Sequence, residues 1–488
     1  MYNSLKRTAI TGLKWSTIGT VGQALFQILQ IAILTRFLSK EDFGLVAMAL
    51  FVVNFTNIFV DMGFTSAILH RQNANNEEYS SVYWFNLLIS IFLFLIIFAL
   101  TPFISDFYGQ AELTTIIPIL SANLILLAIG HLHQTIMRKE FRFKEISLIN
   151  LFGCLLGLIS AFVLAKSGYG VYSLVYSTLI VSAVASIIFL IFNIRLHRIY
   201  FHLNFKELTP YFKIGSYSVG SQFISFFSTD IDILIVGKML GPGPLGIYSL
   251  SKQIILKVYS ILNSTITNVL TPLMSVTQTD ESKLKAYYLK VTFMLSSLNI
   301  PIYLLIIILA KEILIILYGS KYVEANLILS FLAISYCINA ISNPVGSLQI
   351  ATGRTDIGLR WAIFSLLITP LVIYISSLAN INTVAFMRAL LSFVMIIPLW
   401  WMQLKPMANI KLGEYFAQFI KPYLLLLIIA TVYLLYSNFY ELPFGTIVNA
   451  TIKGSIAMVV YGGLLWAIDR KRIIEIFALF RSHRHQET

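Results

Sequence analysis

Apolar residues run along this chain in fourteen blocks, at about 12–35, 44–68, 82–102, 115–136, 147–166, 171–193, 214–237, 246–271, 287–310, 327–351, 358–378, 382–403, 422–438 and 446–467. Each is near the ~20 residues a helix needs to cross ~30 Å of hydrocarbon. The pattern predicts an all-α polytopic membrane protein with about 14 transmembrane helices. An even number of spans puts both termini on one side.

Two blocks carry a polar stripe. Ser218, Gln222, Ser225, Thr229 and Asp232 follow one another at steps of 4, 3, 4 and 3. At 3.6 residues per turn all five share one helix face. Ser16, Thr20, Gln23, Gln27 and Gln30 repeat that spacing 202 positions earlier. The same offset pairs Arg36 with Lys238, Leu38 with Leu240, and Phe43-Gly44 with Leu245-Gly246. Aligning Gln134 with Gln349 likewise brings Arg138 beside Gly353-Arg354. These correspondences predict an internal duplication of two parallel six-helix lobes. We divide the chain into an N-lobe (1–194), an inter-lobe linker (195–212), a C-lobe (213–404) and a C-terminal hairpin with a basic tail (405–488). A membrane helix with one polar face lines a cavity or is joined to its neighbours by hydrogen bonds. Five polar residues in register, doubled by the repeat, favour the cavity.

Composition agrees with the pattern. The chain has 488 residues, 58% hydrophobic and 12% charged, too apolar for a soluble domain of this length. Its net charge of +13 follows membrane topology and gives no reason to expect a nucleic-acid partner. One set of loops and termini holds 25 of the 35 Lys and Arg residues and the opposite set holds six. Lys252, Lys257, Arg388 and Lys453 lie inside spans. The basic side is expected to be cytoplasmic, so both termini are inside. The first helix is read as uncleaved, because no small-residue cleavage site follows it. Cys154 and Cys337 stand far apart in apolar segments and read as buried small residues. No metal cluster, nucleotide loop or nucleophile elbow is found, so no cofactor is expected.

Several stretches are familiar in their order and spacing: RFLSKEDFGLVAMA, DMGFTSAILHR, GYGVYSLVYSTLI, DIDILIVGKMLGPGPLGIYSL, ILIILYGSKYVEANLILSFLAIS and ATGRTDIG. Through them the chain resembles, over essentially its whole length, the Wzx-type polysaccharide flippases of the superfamily that includes lipid II flippases and MATE exporters. The resemblance implies two lobes around a central cavity that opens alternately to each side of the bacterial inner membrane. It implies that an undecaprenyl-diphosphate-linked oligosaccharide is carried from the inner to the outer leaflet, for lipopolysaccharide or exopolysaccharide synthesis. Membrane lipids are the surroundings, and a polysaccharide polymerase complex is a candidate further partner. No enzymatic activity is expected.

Ionisable groups in spans are costly unless they face water or a partner. Lys257 shares a face with Gln253, Ser260, Ser264 and Asn268, and a lysine there suits a diphosphate. Lys252 lies nearer the outer end and is expected to snorkel, as is Lys453. Arg388 is a second phosphate-ligand candidate, with structural pairing as its alternative. Gln27, Gln30, Gln222 and Thr229 complete the expected substrate path. Asp232 and Asp230 in the seventh span and Asp61 in the second are candidate ion-coupling groups. Asp232 admits a second reading, an ion pair with a lysine of the next helix; Asp61 admits a gating pair with Lys14, with ordinary helix-end pairing favoured over it. His131 and His133 are expected to be packed and hydrogen-bonded. Pro301, Pro344 and Pro370 are expected to interrupt their spans. A MATE-like exporter of small organic cations and a multi-spanning polysaccharide polymerase or ligase are the competing functions. The buried lysines argue against the first, and the short outer loops against the second.

Overall fold

The computed structural model describes residues 2–70, 74–193, 198–276, 281–437 and 445–484, and each apolar block coincides with one helix or with helices in series. In chain order these are α1 (Tyr2–Leu34), α2 (Lys40–Asp61), α3 (Phe64–His70), α4 (Asn76–Tyr108), α5 (Leu113–Lys139), α6 (Phe143–Lys166) and α7 (Tyr172–Asn193). There follow α8 (Phe205–Leu240), α9 (Pro242–Val276), α10 (Glu281–Ile308), α11 (Ala310–Tyr318), α12 (Asn326–Ser342), α13 (Pro344–Thr352) and α14 (Thr355–Ser377). The remainder are α15 (Ile381–Val394), the short α16 (Ile396–Leu399), α17 (Lys405–Ala408) and α18 (Leu412–Phe416), then α19 (Ile420–Ser437) and α20 (Thr446–Arg484). Among the described residues 11 helical stretches are long and apolar enough to cross a membrane. Helices α8, α9 and α19 occupy the other three expected positions.

Breaks in the spans have local causes. Met62 and Gly63 both adopt left-handed φ, 42° and 71°, and separate α2 from α3. Pro344 opens α13, where a missing N–H removes no helical bond. The other two prolines behave differently from expectation. Pro301 and Pro370 lie inside the continuous helices α10 and α14. Membrane helices tolerate this because neighbours and local adjustment satisfy the freed carbonyl.

The chain forms two compact units, residues 1–250 with 365–381 and residues 251–364 with 382–488. In the first, α1 packs on α6, and α5 packs on α2, α4 and α7. Close approach needs small residues: a Cβ on Gly130 of α5 would stand 2.6 Å from the Cα of Ser186 in α7. Helix α8 lies against α2, α3 and α4 in the same unit. Its contact with α2 is aromatic. Phe51 meets Phe226 at 5.1 Å between ring centroids, and Phe55 meets Phe223 at 5.8 Å and Phe227 at 5.5 Å.

Backbone contacts bracket this seam. At one end a Cβ on Gly215 would lie 2.0 Å from the Met62 carbonyl oxygen. At the other, a Cβ on Gly44 would lie 1.8 Å from the Pro242 oxygen, and one on Gly246 would lie 1.8 Å from the Lys40 oxygen. The second pair is the first shifted by 202 residues and reversed. Such reciprocity is the mark of a two-fold relation between contacting elements.

The segment before α8 is strapped to α4. Trp84 Nε1 donates to the Tyr200 carbonyl at 2.7 Å, and the Tyr200 and Asn204 amides donate to the Ser80 and Ser81 hydroxyls at 2.9 and 3.1 Å. Glu207 accepts from Ser81 Oγ at 2.7 Å and stands 3.0 Å from His202 Nε2. Burial works to raise the Glu207 pKa, but these hydrogen bonds and that from Asn204 bring it below the ordinary value.

In the second unit α10 packs on α12, α19 and α20. Lys453 of α20 does not snorkel: its ammonium pairs with Glu312 of α11 at 2.5 Å and lies 5.6 Å from the Tyr433 ring centroid. Glu312 is 5% exposed, and a carboxylate this buried in a membrane protein holds a cation rather than releasing it to the interface. Large apolar side chains such as Phe103, Leu367 and Val459 are instead exposed, as lipid-facing residues should be.

Candidate functional site

The expected site residues fall at four places. The first is a cavity of about 190 Å3 in the first unit, between α2, α5, α6 and α7. Asn57, Asp61, His131, Gln134, Asn150 and Ser186 supply its polar lining. A space of this size with so many polar partners can hold several waters. Asp61 is the last residue of α2, and its side chain caps the start of α3. Its Oδ1 accepts from the Thr65 amide at 3.2 Å and from the Thr65 hydroxyl at 2.8 Å. His131 Nε2 stands 3.0 Å from that hydroxyl and 3.3 Å from Asp61 Oδ1. Among the described residues the partners of Asp61 are therefore Thr65 and His131. Lys14, the partner considered from sequence, is exposed.

The polar ladders are the second place. On α1, Thr20 and Gln23 donate to their own helix, to the Ser16 and Gly19 carbonyls at 2.9 and 3.1 Å. Gln30 crosses to α7, where its amide donates to Ser177 Oγ at 2.9 Å. Gln27 is half-buried. On α8, Gln222 is half-buried, Ser225 and Thr229 are exposed, and the side chain of Ser218 lies outside the described residues. The ladder is thus mixed. Gln30 joins helices, while Thr229 presents an exposed polar group. Cysteines at Gln27 and Thr229 are expected to react with a polar thiol reagent faster than cysteines at Ile31 and Ile233. Equal protection at all four positions would remove the cavity-lining role.

Asp232 and Asp230 form the third place. Asp232 is only 1% exposed, and its Oδ2 accepts from the Tyr248 hydroxyl at 2.7 Å. Asp230 is half-buried on another face of α8. The two carboxylates do not share one environment, as their spacing along the helix requires.

The fourth place is in the second unit. Lys257 of α9 is half-buried, and its carbonyl accepts from Ser260 Oγ at 2.9 Å. Ser264 and Asn268, expected on the same face, have side chains outside the described residues. Arg388 of α15 is 8% exposed, and its carbonyl accepts from Ser392 Oγ, which meets Ser335 Oγ at 2.6 Å. Lys252 is 2% exposed. This corrects the expectation that it snorkels, since a snorkelling ammonium stays in water.

A family model described as "Polysaccharide biosynthesis protein" matches residues 33–327. The chain belongs to that family. This chain is 27% identical over 425 residues to the teichuronic acid biosynthesis protein TuaB of Bacillus subtilis, covering 86% of this chain and 87% of that one. It is 25% identical over 329 residues to the succinoglycan biosynthesis transport protein ExoT of Rhizobium meliloti, covering 67% and 66%. Its fold is that of the lipid II flippase MurJ in an inward closed conformation, with a TM-score of 0.76 over 93% of this chain and 98% of that one at 16% identity.

Sequence reasoning named Asp61 but not its partnership with His131. Both are polar residues inside apolar spans, which is the signal. Their meeting across 70 positions is tertiary. The strap likewise gathers Glu77, His202 and Glu207, whose ligand atoms all lie within 4.8 Å of one another, although their spacing in sequence suggests no common site.

Proposed function

We propose that this family member flips an undecaprenyl-diphosphate-linked oligosaccharide from the inner to the outer leaflet of the bacterial cytoplasmic membrane by alternating access. The observation that carries the reading is a polysaccharide-biosynthesis family match on an all-helical, multi-span chain with the fold of a lipid flippase. Buried cations suit an anionic cargo. In this reading Lys257 and Arg388 hold the diphosphate, and Gln27, Gln222 and Thr229 line the path. Gln30 shapes the path from its place against α7. Asp232 and Asp230 are ion-coupling candidates on α8.

The direct test is depletion of the protein in its host. Lipid-linked oligosaccharide should accumulate on the inner leaflet while surface glycan falls. Normal surface glycan combined with new sensitivity to organic cations would replace this reading with a cation exporter. The reading also places both termini in the cytoplasm, so a reporter fused at Asn76 should be cytoplasmic and one at Gln110 or Asn380 external. A single fusion on the other side overturns the orientation.

A further inference from the structure

The cavity between α2, α5, α6 and α7 contains a carboxylate–imidazole contact within candidate spans, Asp61 with His131 at 3.3 Å. A proton-binding site needs a side chain that can take up a proton, a counter-charge that favours the loaded form, and room for water to deliver the proton. All three are present here. We propose that Asp61, Thr65 and His131 form a proton-binding site that couples proton movement to the hold of the α2–α3 corner on α8. This rests on the reading of the chain as a transporter.

Hydrogen-bond arithmetic places the proton. An ionised Asp61 only accepts, and it takes the single Thr65 hydroxyl hydrogen at 2.8 Å. Nε2 of His131, 3.0 Å from that hydroxyl oxygen, must then carry its own hydrogen. A proton arriving from the cavity therefore adds at Nδ1 and makes an imidazolium, and no bond other than the N–H forms. The neighbours are few. Helix α5 itself supplies Arg138, within electrostatic reach of both His131 and Asp61. Helices α6 and α7 supply neutral Asn150 and Ser186. Helix α4 turns Tyr79 to Lys139 and Tyr83 to His133. Asp61 is thus the counter-charge of the loaded state, with Arg138 opposing it.

The mechanical link is short. Asp61 also accepts from the Thr65 amide and so fixes the first turn of α3. Between the two residues lie Met62 and Gly63 in left-handed conformation, with the Met62 carbonyl against Gly215 of α8. Charging His131 draws the carboxylate toward the imidazolium and away from the Thr65 amide. The corner that touches α8 is the element this shift loosens.

The test uses the purified full-length protein in liposomes containing a lipid-linked oligosaccharide, with a pH gradient of one unit imposed in either direction. Wild-type flipping is expected to accelerate in one direction by up to about tenfold, the change in proton activity per pH unit. His131→Gln keeps a hydrogen-bonding amide but has no titration near neutrality, and Asp61→Asn keeps the shape without the charge. Both are expected to flip at a rate indifferent to the gradient. A cargo-free measurement separates the site from the flippase reading: melting temperature followed from about pH 5 to 8. Wild type and His202→Gln should show a pH-dependent step that His131→Gln lacks and Asp61→Asn shifts. If the wild type does not flip yet shows this step, the proton site stands and the flippase reading falls. Should both variants keep the gradient response and the step, the proton site is wrong whatever the wild type transports.

Discussion

Lys257→Ala is expected to lower flipping at least about tenfold at matched levels of folded, inserted protein. On the function proposed above, the cargo's diphosphate leaving the headgroup region must exchange its hydration for protein contacts, and burial of an unpaired charge is prohibitive. A hydrogen bond to a charged group contributes about 1.5–3 kcal/mol, or roughly 10–150-fold in rate if it forms in the transition state. Lys257, half-buried on α9 with its carbonyl accepting from Ser260 Oγ, is the group proposed for this contact. Lys257→Arg should keep part of the activity, since the charge survives while the geometry changes. Lys252→Ala supplies the contrast. That side chain is only 2% exposed, so its loss should lower the yield and melting temperature of the protein rather than the rate per folded molecule. Normal surface glycan from Lys257→Ala would mean that the cargo's charge is handled elsewhere.

The difference between these lysines marks where the sequence stops being informative. Apolar length and polar periodicity are local, and they locate the helices and the polar faces of α1 and α8. The burial of Lys252 and the pairing of Lys453 with Glu312, 141 positions away, depend on which helices become neighbours. A lysine near a span end reads as snorkelling until a carboxylate is found beside it. The prolines illustrate the same limit. Pro344 starts a helix, while Pro301 and Pro370 sit inside helices, and only the surroundings distinguish them. His131 was visible as a polar residue in an apolar block. Its role depends on Asp61 arriving from α2, and no spacing rule brings the two together.

Gly44→Ala and Gly246→Ala are each expected to destabilise the protein strongly, against the usual preference of helices for alanine. Within α2 or α9, alanine gains about 1 kcal/mol over glycine from helix propensity alone. Here the added methyl carbon would sit 1.8 Å from a backbone oxygen, of Pro242 in one case and of Lys40 in the other. A backbone oxygen cannot rotate aside as a side chain can, so the two helices must separate. Overpacking typically costs about 1–3 kcal/mol and occasionally more. Rigid backbone puts both substitutions at or beyond the upper end, so the clash outweighs the propensity gain. Separation would also pull on the Phe51–Phe226 contact further along the seam, where aromatic pairs contribute about 0.5–1.5 kcal/mol each. Because the two contacts are images of one another, either substitution opens the same crossing. The double variant should therefore cost less than the two single costs added together. Gly346→Ala, in α13 with no atom within 4 Å of the new methyl, is the control and should be neutral or mildly stabilising. Yield of monodisperse protein and melting temperature in detergent measure all four. Wild-type values for Gly44→Ala and Gly246→Ala would show that α2 and α9 do not meet at these glycines.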